Sequence, residues 1–175
     1  MAAGGTTLEN GRGERLRFVS LPRDSERDAL VVEVEYRAGD APPDHHHPFQ
    51  RERFEVLDGA LEVTIAGERR VERAGGAFEV EAGVVHAMRA IGDTGASLRW
   101  TITPALGTDR FFRSMWALDA AGSGRTDVFR VAQVLHAHRR EFRLARPADP
   151  IQGVLVGVLA WLGRRLGRTL PSPER

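Results

Sequence analysis

From Glu14 to Thr103 the apolar positions come in short runs that alternate with polar ones, and after Pro104 they recur at intervals of three and four. An interval of two puts side chains on one face of a strand, and three to four puts them on one side of a helix. The pattern therefore predicts a β-rich first part and a helical second part. Val32, Val34 and Tyr36 alternate with Glu33, Glu35 and Arg37, and Phe54 and Val56 share a face with Glu52 opposite Arg53 and Glu55. Strands are predicted over residues 15–20, 29–37, 51–57, 60–66, 69–74, 77–81, 84–90 and 96–103. Asp58-Gly59 and Ala66-Gly67 each read as a hairpin turn, because glycine accepts the positive φ that such turns need. Ala74-Gly75-Gly76 and Gly92-Asp93-Thr94-Gly95 separate the remaining strands. Short strands punctuated this closely indicate a barrel or sandwich.

In the second part, Thr108 is placed to cap a helix to about Ala120, with Phe111, Phe112, Met115 and Trp116 near one face and Gly122 beyond its end. A second helix is predicted from Asp127 to Phe142, where Val128, Val131, Leu135, His138 and Phe142 form one stripe. The third runs from Asp149, read as N-cap with Pro150 at the first helical position, to about Leu166. The predicted organisation is a flexible N-terminal arm (1–13), an all-β barrel (14–107) and a helical C-terminal extension of about three helices (108–175).

Charge supports this division. The formal net charge is +1, yet residues 1–107 hold 13 Arg against 18 acidic residues, whereas residues 108–175 hold 12 Arg against 6. The basic part has scattered arginines and no aromatic stacking platform, so nucleic acid is not an expected partner. Residues 150–162 would span about 20 Å as a helix, short of the roughly 30 Å apolar core of a bilayer, so no transmembrane segment is expected there. With Arg164, Arg165 and Arg168 following, residues 150–168 have two uses: packing on the barrel or a second subunit, which predicts a homodimer, or the weaker option of membrane-surface contact. The N-terminal run Met1 to Gly13 has no apolar stretch of signal-peptide type, and a cytoplasmic location is the default expectation. The chain has no cysteine, so any metal must be held by His and carboxylate.

One stretch offers such ligands. His45 and His47 stand one residue apart, so an extended backbone aims both imidazoles to one side and turns His46 away. Glu52 lies five residues past His47, an odd spacing that would put it on the opposite face of an unbroken strand. A turn at Pro48 is therefore needed to bring it back. A solvated, incidentally His-rich loop is the alternative. His86, preceded by a turn at Gly83, begins another strand, and three imidazoles with one carboxylate would hold a divalent transition metal with two octahedral positions open.

Gly39, His45, His47, Glu52 and Gly59 fit the motif G-x5-H-x-H-x4-E-x6-G in full, and Gly75, Gly83 and His86 fit part of G-x5-P-x-G-x2-H-x3-N, with Glu81 and Ala90 at the proline and asparagine positions. In these positions the chain resembles the cupin superfamily, over roughly residues 15–104, as a single-domain cupin with a helical C-terminal extension. The resemblance implies a double-stranded β-helix (jelly-roll) barrel with a metal in its mouth held by His45, His47, Glu52 and His86. Fe, Mn, Ni or Zn would suit such a site.

Around it, Tyr36, Gln50, Phe54, Met88 and Trp100 are substrate-pocket candidates, although barrels also fill their interiors with such residues. Arg51 and Gln50 read as members of a solvated loop at the mouth. Glu62, Arg89 and Arg99 contribute only if they face inward, and His136 and His138 receive no role. No catalytic group beyond the ligands stands out, which favours a small-molecule oxygenase of dioxygenase type, where metal and O2 do most of the chemistry. The other readings are a redox-neutral isomerase or cyclase using the metal as Lewis acid, and a non-catalytic metal-containing binding or accessory protein.

Overall fold

The computed structural model describes residues 5–39, 42–120 and 127–170, so Gly122 lies outside the described residues. In chain order the elements are β1 (Thr7–Glu9), β2 (Arg15–Ser20), β3 (Leu30–Tyr36), β4 (His45–His46), β5 (Arg51–Ile65), β6 (Glu68–Arg73), β7 (Ala77–Val80), β8 (His86–Thr103), α1 (Thr108–Ala120), α2 (Val128–Ala137), β9 (Arg143–Leu144) and α3 (Asp149–Arg165). The strands form one antiparallel sheet system with the path β1-β2-β3-β8-β4-β9, while β5 pairs with β6, β7 and β8. The result is a jelly-roll barrel followed by helices, so the protein as a whole is not purely all-β. Strand β1 falls within the segment expected to be an N-terminal arm. It pairs with β2, Leu8 opposite Leu16.

Two long strands build the barrel. The segments expected at 51–57 and 60–66 are one strand, β5, and those expected at 84–90 and 96–103 are one strand, β8. The two pair from Arg51↔Thr103 to Ile65↔His86, with register shifts between Val56 and Asp58 and between Gly59 and Ala60. Asp58-Gly59 is therefore a bulged corner and not a hairpin turn. Glycine at φ 75° serves a bulge as well as a turn, and β8 stays the partner on both sides. The corner also switches parity: Glu52, Phe54 and Val56 are buried before it, Leu61 and Val63 after it. Ala66-Gly67 is the expected hairpin turn, joining β5 to β6.

Alternation places Leu16, Phe18, Leu30, Val32, Val34, Leu98 and Ile102 in the core with the inward residues of β5. The outward face carries the ion pairs: Arg99 Nη2 donates to Glu33 Oε1 at 2.8 Å, and Arg89 Nε donates to Glu62 Oε1 at 3.0 Å. Glu62, Arg89 and Arg99 thus point away from the barrel interior.

The helices continue the same core, since Phe111, Phe112 and Val134 pack with Trp100 and Ala105. Asp127 caps α2, accepting from the N–H groups of Phe129 and Arg130. Helix α2 ends at Ala137 and is shorter than expected. Its buried residues are Ala132 and Val134, while Val128, at the head of the expected stripe, is 52% exposed. His138 and Phe142 lie beyond the helix, because the chain turns there and runs back to the barrel as β9. At α3 the cap position is Ala148, with Pro150 in the first turn. The Asp149 carboxylate is occupied instead by Arg143 Nη1 at 2.7 Å. Among the described residues no helix is long and apolar enough to cross a membrane.

Candidate metal centre

Strands β4, β5 and β8 bring the predicted ligands together. His45 and His86 face each other as register partners across β4 and β8, and Glu52 lies between Val80 and Ile102 on β5. Residues 48 and 49 form the expected turn after His47, and the Gly83 N–H donates to the His47 carbonyl at 2.8 Å. The left-handed φ of 79° at Gly83 suits glycine and lets its N–H reach that carbonyl ahead of the strand carrying His86. His45, His47 and His86 each present a ring nitrogen within 4.8 Å of the others. Glu52 reaches two of them, with Oε1 3.1 Å from His47 Nε2 and Oε2 3.0 Å from His86 Nε2. His46, half-buried, stays outside the cluster.

The protons of the three rings are fixed by what their other nitrogens touch. Nδ1 of His45 faces the Pro43 carbonyl at 3.0 Å, Nδ1 of His86 faces the Val84 carbonyl at 3.0 Å, and Nδ1 of His47 faces the Glu141 carbonyl. A carbonyl can only accept, so each Nδ1 carries the hydrogen, and a neutral ring then turns its Nε2 lone pair outward. The Nε2 atoms of His47 and His86 and both Glu52 oxygens are buried without a hydrogen-bond partner. Lone pairs face lone pairs at about 3 Å there, an arrangement that a bound cation or proton would relieve.

Burial deepens this demand: solvent exposure is 5% at His45, 5% at His47, 3% at His86 and 0% at Glu52. Burial, then the neighbouring imidazoles, hold His45 well below the usual histidine range. Burial likewise lowers His47, with Glu52 opposing. At His86 burial acts in the same sense, but Glu52 and the Val84 carbonyl together outweigh it and raise the imidazole. The set is thus three hydrogen-bonded imidazoles and one carboxylate, with the donor chemistry and closeness that suit a divalent transition metal.

The pocket candidates divide. Phe54 stacks between Phe78 and Trp100 at centroid distances of 4.8 and 5.1 Å, and Met88 sits with them in the packed core. Trp100 leans on Phe112 of α1. Tyr36 is half-buried, and burial followed by the carboxylates of Glu14 and Glu52 pushes its phenol up, so it stays protonated within the field of the site. Gln50 is not in a solvated loop. It is fully buried, and its amide nitrogen lies 2.7 Å from the Pro104 carbonyl, 3.0 Å from that of Ala105 and 2.8 Å from Thr108 Oγ1. It ties the loop after His47 to the barrel–helix junction. Arg51 is exposed, as expected of a loop margin.

Two residues at the site come from the extension. Phe142 stacks on His45 at 4.6 Å and meets His47 edge-on at 5.9 Å, and Glu141 supplies the carbonyl that holds His47. The apolar stripe carried Phe142 onto a helix face in sequence, and no motif pointed to Glu141, because a backbone carbonyl leaves no trace in residue identity.

Fold and histidine cluster together define a β-barrel of metal-binding type. Residues 32–102 match the family described as Cupin domain. Over these residues the barrel is similar to a cupin domain, and a helical C-terminal extension follows it. Over 89 residues the chain is 30% identical to quercetin 2,3-dioxygenase of Bacillus subtilis (strain 168), a match that covers 47% of this chain and 26% of that enzyme. The chain therefore spans about a quarter of the length of that relative. Among solved structures, the cupin domain of Schizosaccharomyces pombe Cnp3 is similar at 26% identity and a TM-score of 0.45, covering 56% of this chain and 69% of that one. KdgF from Halomonas sp. is similar at 20% identity and a TM-score of 0.49, covering 58% of this chain and 94% of that one.

Proposed function

We propose that the protein is a metal-dependent enzyme acting on a small organic molecule, an oxygenase of dioxygenase type, with His45, His47, Glu52 and His86 as ligands of one divalent transition metal (Fe, Mn, Ni or Zn). The supporting observation is the proton arrangement: every ligand imidazole gives its Nδ1 hydrogen to a backbone carbonyl, leaving Nε2 lone pairs and the Glu52 oxygens around one buried point. The metal, when bound, supplies the missing positive charge and a redox or Lewis-acid centre. The chain's own residues fix the rings, exclude water through burial, and offer the Tyr36 phenol as a hydrogen-bond donor toward substrate. The local similarity to a quercetin 2,3-dioxygenase favours dioxygenation and makes phenols and 1,3-diketones the first substrates to try. A dioxygenase places both oxygen atoms in its product, so no external reductant is needed.

The test loads the purified protein with each metal in turn and follows O2 uptake and product. Equimolar consumption of O2 and substrate with one metal supports the proposal. Product formed without O2 favours the isomerase or cyclase reading. A second reading, a metal-containing small-molecule-binding or accessory protein without turnover, is favoured by the closure of the site, whose ligands are at most 5% exposed. Tight binding with no product across the panel would establish it.

The proposal places the protein in the cytoplasm, with which a cysteine-free chain is compatible. It also includes a homodimer formed on the outer face of α3, where Ile151, Val154, Leu155, Val158 and Trp161 are each 48–69% exposed. Light scattering should give twice the chain mass, and Val158→Glu should return it to one.

A further inference from the structure

Of the three imidazoles, two are oriented from within the barrel by carbonyls two residues away along the chain, Pro43 for His45 and Val84 for His86. His47 is different. Its orienting carbonyl, that of Glu141, lies 94 residues away in the C-terminal extension. We infer that Glu141 and Phe142 are positioning residues of the metal centre, the Glu141 carbonyl setting the His47 ring and the Phe142 ring holding that of His45. This rests on the proposed metal site and adds to it a requirement for the extension.

The segment is built to hold this position. After α2 the chain turns, the N–H groups of Glu141 and Phe142 both donating to the His138 carbonyl at 2.9 Å. The Glu141 carboxylate, itself buried, accepts the Gly107 N–H through Oε1 at 2.9 Å, while Oε2 lies 3.7 Å from His138 Nδ1. Gly107 leaves room for this: a Cβ there would lie 2.8 Å from Glu141 Oε1. The barrel–helix junction thus fixes the side chain whose backbone reaches His47.

Downstream, β9 pairs with the ligand strand itself, Leu144 opposite His45 and Arg143 opposite His46, and the Ala145 N–H donates to the Asp44 carbonyl at 2.8 Å. Gln152 of α3 pins β9 from behind, accepting the Leu144 N–H at 3.2 Å and donating to the Leu144 carbonyl at 2.8 Å. Between these anchors Phe142 lies nearly parallel to His45, with an interplanar angle of 21°, and is backed by Phe111 at 5.3 Å. Such a stack restrains rotation of the His45 ring about its bond to Cβ. Groups that hold a ligand ring in this way set both its direction and its basicity.

The experiment uses the full chain stripped of metal and titrated with Co(II), reading affinity by calorimetry and coordination by visible absorption at saturation. Glu141→Ala and Phe142→Ala should each lose about 10–100-fold in affinity and change the shape of the saturated spectrum. Glu141→Gln, which keeps an acceptor for the Gly107 N–H, and Phe142→Leu, which keeps apolar bulk, should stay close to wild type. If Glu141→Ala does not fold, Gln152→Leu frees β9 without touching a ligand and should alter the spectrum in the same sense. Wild-type spectra at saturation in these variants, whatever their thermal stability, would overturn the inference alone, since they would mean a merely structural role. Wild-type protein that takes up no Co(II) would overturn the metal site and this inference with it.

Discussion

Replacing Glu52 by glutamine should have opposite effects with and without metal. In the apo protein both carboxylate oxygens are buried without a hydrogen-bond partner and face imidazole lone pairs at 3.0 and 3.1 Å. A glutamine of the same shape offers an N–H to either lone pair, so at a pH high enough for His86 to be neutral Glu52→Gln removes a repulsion and gains a hydrogen bond of about 0.5–1.5 kcal/mol. For a chain of this size that is a rise in melting temperature of about 1–6 °C.

With metal the sign reverses. Metal at 100 times its dissociation constant stabilises the wild type by about 2.7 kcal/mol, or about 5–11 °C. Loss of a ligand should weaken binding by about 100-fold or more, the upper end of what it costs to change a group that merely orients a ligand. The same metal concentration then yields about 0.4 kcal/mol or less, about 1–2 °C. Differential scanning calorimetry of both proteins, with chelator and with metal, reads all four values. A variant that melts several degrees below wild type in chelator, or that keeps the full metal-dependent rise, would refute the reasoning.

Two further outcomes follow from the same geometry. Gly59→Ala should lower stability by about 3 kcal/mol or more, because its Cβ would lie 2.1 Å from the Gly95 carbonyl oxygen at a φ of 75°. Gly67→Ala, at φ 85° but in open space, should cost only about 1 kcal/mol, and equal losses in urea melts would contradict the corner. Acid should destabilise the apo protein through its histidines: His45 and His47 bind protons more weakly folded than unfolded, so stability is lost as pH falls below about 6.5. His86, raised, works the other way, its contribution full below about 6.5 and lost as pH rises through its folded value, so two groups oppose one. Urea midpoints that rise between pH 7 and pH 5 would contradict this balance.

Alternation and spacing made the barrel and the meeting of His45, His47, Glu52 and His86 legible, because a strand's period of two fixes which side chains can meet and an odd spacing demands a turn. The corners were not legible. A glycine at positive φ looks the same in a hairpin and in a bulge, and only the partner strand, continuous through β8, distinguishes them. Gln50 was misplaced for a related reason: a polar residue beside a turn reads as solvated until its three backbone and hydroxyl acceptors are seen. Glu141 was invisible because its contact with His47 is made by the main chain. Phe142 continued a helical stripe that the fold cuts at Ala137 to return the chain to the site.

The proposed site has His45, His47, Glu52 and His86 holding one metal, with His46 outside the cluster. Elemental analysis of purified wild type, His46→Ala and His47→Ala, prepared side by side, tests it most directly. About one transition-metal ion per chain in the first two, and little in His47→Ala, is the predicted result. Equal metal content in the two variants, or none in the wild type after loading, would contradict it.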